Sequence, residues 1–577
     1  VQALHAAGLR VVMDVVYNHT SASGQSEKSV LDKVVPGYYH RLNADGVVET
    51  STCCQNTATE HAMMEKLMLD SLTTWATQYE VDGFRFDLMG HHMKRNLEKV
   101  RDTLHAIDPT IYLYGEGWNF GEVADNARGV NATQFNMAGT GIGTFNDRLR
   151  DAVRGGGPFD GGADLVKNQG FINGLYYAPN ASNSGSDAEK AKLLLSADQI
   201  RVGLAGNLAN YEFVDRNGAL VKGSQVDYNG SPAGYTQDPQ EHIIYIEAHD
   251  NQTLWDISAY KHAAGVSMAD RVRAQNLGID VTMLAQGIPF FHAGMDLLRS
   301  KSLDRNSYNS GDWFNKLDFT YESNNWGVGL PPQGENGSAW SIMQPLLANP
   351  VLNPAPADIS FSAAHFQTML QVRQSSPLFR LQTATDVQAR LHFFNTGPDQ
   401  IPGLIIMHLD DTVANLPDLD PAHERIVVLF NATDAAQTFT EDLFTGLNLV
   451  LHPALAQSND SVVKGATFTA ATGAFTIPAR TTAVFVEPVV TEATITIAVT
   501  AQPQSRRNFK FEGTLGKFKL DDPQADDRDR YQNSMRFPVA PGSYTVTEEV
   551  PGSWSLASIT CSTGAGVVDL ANASVTI

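Results

Sequence analysis

From residue 9 to about residue 300, short apolar runs alternate with longer stretches of helical character. "LRVVMDVVYNHT" (9–20) reads as a strand that ends in polar residues. A loop of about thirty residues follows, then the helical stretch "TATEHAMMEKLMLDSLTTWATQYE". Thr57 and Glu60 have the spacing of a capping box at its start, and Met63, Leu67 and Trp75 suggest its apolar stripe. "VDGFRFDLMGHH" (81–92) is the next strand, "KRNLEKVRDTLHAI" the next helix, and "IYLYGEGW" (111–118) the strand after it. "EHIIYIEAHDN" (241–251) and "GIPFFHAGMD" (287–296) repeat the pattern. Strands that alternate with helices predict an α/β domain around a parallel sheet. Polar residues gathered at the C-terminal ends of several strands point to a (β/α)8 TIM barrel, whose active site lies on that rim.

From about residue 385 the period changes. "RLHFFNTG", "GLIIMHLDD", "RIVVLFNAT" and "GAFTIPARTTAVFVEP" are short strands separated by turn signals, which predicts an all-β sandwich. A third region, near 490–577, reads as a second small β-sandwich that is incomplete at its end. The predicted domains are therefore 1–384, 385–489 and 490–577. The acidic stretch "LDDPQADDRDR" lacks EF-hand spacing and reads as a solvated loop.

Composition narrows the function. The net charge is −22, from 41 basic and 63 acidic residues, which argues against nucleic acid or an anionic membrane as the main partner. No run of about 18 apolar residues offers a transmembrane segment. Cys53 and Cys54 are adjacent and no second cysteine pair completes a zinc site, so free thiols are expected. The chain opens "VQALHAAGLR", without Met and already helical, and reads as an internal fragment.

The chemistry lies in the charged residues at the strand ends. On the strand 83–88, Phe84, Phe86 and Leu88 point to one face and Arg85 and Asp87 to the other. Asp14, Asn18 and His19 close an earlier strand, Glu116 a later one, and His249 and Asp250 a third. Crowding like charges on one rim opposes folding, so the cluster reads as a catalytic site. Two carboxylates flanking a bond are the minimum for glycoside hydrolysis. Arg85 keeps Asp87 ionised, as a nucleophile requires. Glu116, among Tyr114, Trp118 and glycines, suits a general acid. Asp250 would stabilise the charge that develops on the sugar, His19 and His249 can bind hydroxyls, and Trp118 offers a stacking face.

"DVVYNH", "GFRFD", "GEGW" and "AHDN" resemble, in order, the four signature regions of the α-amylase superfamily of glycoside hydrolases. The stretches "GTGIGTFNDRLRDAVRGGGPFD", "QGIPFFHAGMDLLRSKSLDRNSYNSGDWFN" and "NNWGVGLPP" resemble its pullulanase and limit-dextrinase branch. That resemblance covers most of residues 1–490. It implies a retaining enzyme that cleaves α-1,6 linkages in pullulan, limit dextrins and branched starch or glycogen. The other readings are an α-1,4-acting amylase or neopullulanase and a non-catalytic glucan-binding protein. Position by position it implies Asp87 as nucleophile, Glu116 as proton donor and Asp250 as transition-state stabiliser. His19, Arg85 and His249 match substrate-contacting positions, and Asp14 matches the brace of the arginine. Asp304 and Arg305 would line the cleft. No cofactor is needed for the chemistry. A structural calcium ion is implied with its ligands left open, although Asn18 matches a position that serves a metal in many amylases. The resemblance also implies that two βα units and any starch-binding modules precede this chain, which alone is then expected to be insoluble or inactive. Residues 490–577 resemble prealbumin-like modules of exported bacterial proteins, which implies a secreted or cell-surface protein.

Overall fold

The computed structural model describes residues 1–489, 493–505, 507–522, 531–540, 542–561 and 566–577. Most of the acidic stretch after Leu520 lies outside the described residues. Two compact units divide the chain, Val1–Glu487 and Pro488–Ile577.

The first unit is mixed α/β. Six strands, β1 (Val12–Val15), β2 (Gly83–Phe86), β3 (Tyr112–Gly115), β4 (Gly143–Phe145), β5 (His242–Ile244) and β6 (Ile288–Pro289), form one sheet in chain order. Every pairing between neighbours is parallel. Helices fill the connections that parallel pairing requires. They include α1 (Ala62–Gln78), α2 (Lys94–His105), α3 (Asp147–Arg154), α4 (Asp187–Leu204), α5 (Leu254–Lys261), α6 (Met268–Leu284) and, after β6, α7 (Pro356–Gln374).

Strand alternation sorts the side chains into two layers. Phe84, Phe86 and Leu113 pack with Met68 and Leu72 of α1 and with Leu97, Val100 and Leu104 of α2. The opposite face carries Arg85 and an aromatic cluster of Tyr112, Tyr114, Phe145, Tyr245 and Phe290 around Ile243. Phe145 makes edge-on contacts with Tyr245 at 5.0 Å and Phe290 at 5.1 Å. Its guanidinium neighbour is Arg85, 5.8 Å from the ring centroid.

Several local expectations need correction. Helix α1 begins at Ala62 behind His61, not at a Thr57 cap. Glu60 instead forms an ion pair with buried Arg41 at 2.8 Å. The buried stripe of α1 is Met64, Met68, Leu72 and Ala76, one position along from the one expected. Met63 and Leu67 face outward. The strand expected over 9–20 pairs in the sheet only at Val12–Val15, while His19–Thr20 pairs with Gln55–Asn56. Leu88 does not continue β2, because its φ of 38° turns the chain. Strand β4, three residues long, has too little sequence to show a period.

No break in the core marks residue 384. Antiparallel strands begin at β7 (Leu391–Phe394) and continue through β8 (Leu404–Asp410), β9 (His423–Asn431), β10 (Gln437–Thr440), β11 (Val450–Leu451), β12 (Thr467–Thr469), β13 (Ala474–Ile477) and β14 (Thr481–Pro488). They form sheets of order β7-β8-β9-β14-β11 and β10-β13-β12. Phe475 of one sheet meets Phe485 of the other at 5.3 Å. A single apolar cluster runs from Leu149 and Leu277 in the helices to Phe430 and Val486 in these sheets. Arg273 of α6 adds a two-pronged bond to Asp460, both at 3.0 Å.

The second unit is all β among its described residues. Ala493–Ala498 pairs antiparallel with Ser534–Val539. Five further strands form a sheet around a small core of Phe509, Phe511, Leu520, Val546 and Val575.

Phe84 has no exposed surface and joins the sheet to two helices. Phe84→Ala is expected to destabilise the first unit by about 3–5 kcal/mol. A lowered urea midpoint for its unfolding transition checks this.

Candidate active site

The site starts from strand register. Asp14 of β1 lies beside Arg85 of β2, and Arg85 lies beside Tyr114 of β3. The Asp87 amide donates to the Val15 carbonyl at 3.0 Å, so Asp87 extends β2 by one residue before Leu88 turns. The Glu116 amide donates to the Phe86 carbonyl at 3.2 Å. Asp87 and Glu116 thus leave adjacent strands at the same, C-terminal end. Gly90 lets the chain after Asp87 fold against β3, since a Cβ there would collide with the Trp118 carbonyl oxygen.

Arg85 is the centre of the cluster. Its Nη1 donates to Asp14 Oδ1 at 2.8 Å and to Asp87 Oδ1 at 3.1 Å. Its Nη2 lies 3.0 Å from Glu116 Oε1. Burial works against the Arg85 charge, but Glu116, Asp14 and Asp87 outweigh it and hold the guanidinium above its ordinary value. Asp87 has a second donor, Asn18 Nδ2, at 3.2 Å from Oδ2. The same amide nitrogen is 2.9 Å from His19 Nδ1, which makes that ring nitrogen the acceptor.

Glu116 is in a different position. Its Oε2 accepts the Leu88 amide at 2.9 Å and its Oε1 faces Arg85, both of which favour the anion. Burial nevertheless pushes its carboxyl above the usual range, and the charges of Asp87 and Asp250 push the same way. Its side chain is 11% exposed against 24% for Asp87.

The other candidates fall into three groups. His249 and Asp250 are exposed beyond the end of β5, with 3.7 Å between Nε2 and Oδ1. The carbonyls on either side of Asp250, of His249 and Asn251, accept from buried Lys301 Nζ at 2.9 and 2.5 Å. Half-buried Trp118 packs against the aromatic cluster of the sheet. Asp304 and Arg305 are not brought to the cluster. Asp304 is wholly buried, and its Oδ1 accepts from the Asn306 amide at 3.0 Å and from Asn336 Nδ2 at 2.9 Å. Arg305 reaches the Pro158 carbonyl at 3.5 Å.

Sequence reasoning passed over His91. It is buried, neither ring nitrogen has a protein partner, and its ring meets Phe120 at 4.6 Å. Burial brings it down to about 4. The doublet after "DLMG" was its only signal. Burial also lowers His19, against the pull of Asp87.

Calcium does not fit at Asn18. A calcium ion needs six to eight oxygen ligands. Asn18 Oδ1 is buried without a partner, but the side chains that the Asn18 amide touches are one carboxylate, Asp87, and one imidazole, His19. Among the described residues no trio of carboxylates lies close enough to share an ion.

Residues 321–488 match the family of pullulanase-type α-1,6-glucosidase C-terminal domains. The chain is 50% identical over 501 residues to "Pullulanase 1, chloroplastic" of Arabidopsis thaliana, covering 84% of this chain and 52% of that protein. It is 44% identical over 483 residues to the pullulanase of Klebsiella pneumoniae, covering 83% and 44%. The crystal structure of PulA from Klebsiella oxytoca superposes with a TM-score of 0.81 at 43% identity, covering 84% of this chain and 46% of that one. A maltotriose complex of PulA from Klebsiella pneumoniae gives 0.80 at the same identity, covering 84% and 51%. The chain spans about half the length of the curated relatives it matches.

The raised carboxyl of Glu116 sets a pH dependence. A group whose folded pKa lies above its unfolded value contributes stability that is complete below the unfolded pKa and lost as pH rises through the folded one. Glu116→Gln is neutral throughout and escapes that loss. The Tm difference, variant minus parent, is expected to become more positive from pH 4 to pH 8, measured by scanning calorimetry. A constant difference would contradict the raised value.

Proposed function

We propose that this chain, which belongs to the pullulanase branch of the α-amylase superfamily, forms the catalytic part of a retaining glycoside hydrolase. Its substrates are the α-1,6-glucosidic linkages of pullulan, limit dextrins and branched starch or glycogen. The six parallel strands are read as part of a (β/α)8 barrel, and β7–β14 as a β-sandwich. The observation that carries the chemistry is one guanidinium shared by Asp87 and Glu116 at the ends of adjacent strands, with Glu116 the more buried of the two.

In this reading Asp87 attacks the anomeric carbon. Arg85 and Asn18 each hold one of its oxygens, which fixes the carboxylate plane. Glu116, whose carboxyl burial pushes above the usual range, gives its proton to the departing glycosidic oxygen as that bond breaks. The resulting Glu116 carboxylate is then held by Arg85 and the Leu88 amide until it takes a proton from the incoming water. That water releases the sugar from Asp87 with its original configuration. Asp250 supports the positive charge on the ring in both steps, and Trp118, His19 and His249 position the glucan. Secretion, with residues 490–577 as a surface module, is proposed on the resemblance of that region alone.

The test is the product of pullulan digestion by the intact protein. Maltotriose is expected; panose or isopanose would mean α-1,4 cleavage and overturn the linkage assignment. Asp87→Asn is expected to lose about 10³-fold or more in kcat, equivalent to about 4 kcal/mol of barrier, while still binding glucan in gel retardation. Undiminished turnover in this variant would refute the assignment of the nucleophile.

A further inference from the structure

Two thiols and an imidazole meet beside Asp87 in a way that glycoside hydrolysis does not use. His19 follows β1, and Cys53 and Cys54 sit on a loop more than thirty residues later. Two devices bring them together. The strand pair His19–Asn56 and Thr20–Gln55 joins the segments. Glu122 then anchors the loop. Its Oε1 and Oε2 accept from Asn56 Nδ2 at 3.0 and 3.1 Å, it accepts the Ser51 hydroxyl, and its Oε1 accepts from buried Arg41 at 2.8 Å.

Cys53 Sγ stands 3.6 Å from His19 Nε2. The potential ligand atoms of His19, Cys53 and Cys54 all lie within 4.8 Å of one another. In a tetrahedral zinc site, bond lengths of about 2.3 Å to sulfur and about 2.0–2.1 Å to nitrogen give an S···N edge of about 3.6 Å and an S···S edge of about 3.8 Å. One edge already has ligand spacing, and closing the others takes about 1.2 Å at most. Cys53 is exposed and the other two are half-buried, which leaves a fourth position open to water. The donor set, two sulfurs and one nitrogen, selects thiophilic ions over calcium or magnesium.

We propose that His19, Cys53 and Cys54 form a binding site for a thiophilic divalent cation, zinc or cadmium, and that its occupancy blocks the cleft at Asp87. The blocking half rests on the proposed glucan hydrolysis; the site itself does not. Binding replaces two thiol protons, which pass to solvent, and the His19 proton moves from Nε2 to Nδ1. Asn18 must then turn its amide to offer Oδ1, now without a partner, to that nitrogen. The turn withdraws the Asn18 donor from Asp87, so the ion disturbs the nucleophile as well as covering it.

Cadmium is the probe, because thiolate-to-cadmium charge transfer gives an ultraviolet band. Titration of the full chain with Cd²⁺ is expected to give a saturable band at one ion per chain, displaced by Zn²⁺. The variant carrying Cys53→Ser and Cys54→Ser should bind at least about 100-fold more weakly, whereas Cys561→Ser should bind unchanged. In the unsubstituted protein, bound Cd²⁺ should protect two of the three cysteines from alkylation, read by mass spectrometry, which needs no variant to fold. Absence of the band, or its persistence in the double variant, overturns the site. In the intact protein, Zn²⁺ should suppress pullulan hydrolysis, and the double variant should resist it. A saturated band with undiminished hydrolysis overturns the blocking half. Absence of hydrolysis in chelator-treated protein would count against the proposed function, and the cadmium band would still decide the site.

Discussion

Three carboxylates from three neighbouring strands share one guanidinium, and their arrangement depends on it. Without Arg85, Asp14, Asp87 and Glu116 would face one another across a sheet edge, and their repulsion would have to be relieved by protonation or by movement. The three contacts are unequal in energy. Asp14 is about half exposed, so its bond to Arg85 is screened by water and worth little, at most about 1 kcal/mol. Glu116 is buried, and removing Arg85 would strand it; breaking such a pair costs about 3–5 kcal/mol. The pair therefore acts mainly as a positional constraint on Glu116. It works only because the register places residues 14, 85 and 114 side by side. A shift of one residue in β1–β2 would turn Arg85 toward the helices.

The same cluster separates the two carboxylates that it joins. Both contact Arg85, so the arginine alone does not account for the raised carboxyl of Glu116. Depth does so: Glu116 sits under the turn at Leu88, whereas Asp87 opens toward solvent and has the Asn18 amide as a further donor. Desolvation, joined by the charges of Asp87 and Asp250, outweighs the pull of a guanidinium and a backbone amide on Glu116. The left-handed Leu88 is part of this balance, because the turn it makes carries an amide onto Glu116.

How legible this was in the sequence depended on the reach of each interaction. Alternation within β2 was enough to separate Phe84 and Phe86 from Arg85, because period two is a property of a few adjacent residues. The polar strand ends were legible for the same reason. The stripe of α1 was misplaced by one position because Met63, Met64, Leu67 and Met68 are all apolar, and only tertiary packing chooses between them. Glu60 looked like a cap residue until Arg41, nineteen residues away, claimed it. Asp304 has the composition of a cleft residue, but the fold uses it as a buried brace. His19 and the cysteine pair carry no spacing signal, since a two-stranded pairing between distant segments brings them together. The apolar core that passes residue 384 without a break was hidden because a change of period marks a change of element type, not a gap in packing.

Asp250 shows how the fold holds an exposed charge near a buried one. Its side chain is about 59% exposed, too open to be fixed by its own surroundings. The backbone carries the constraint instead. Lys301 spends its ammonium group on the two carbonyls that bracket Asp250, at a position where burial lowers its pKa. The lysine is in turn set by Asp256, which accepts its amide at 2.7 Å and the Ser300 hydroxyl at 2.6 Å. Asp256 is itself pushed up to about 6 by burial. The position of Asp250 thus traces back to a charged network beneath it, supplied by α5 and the segment after β6. The Arg85 cluster is supplied by β1, β2 and the end of β3. The two groups of carboxylates rest on separate supports, and the electrostatic effect of Asp250 on Glu116 couples them.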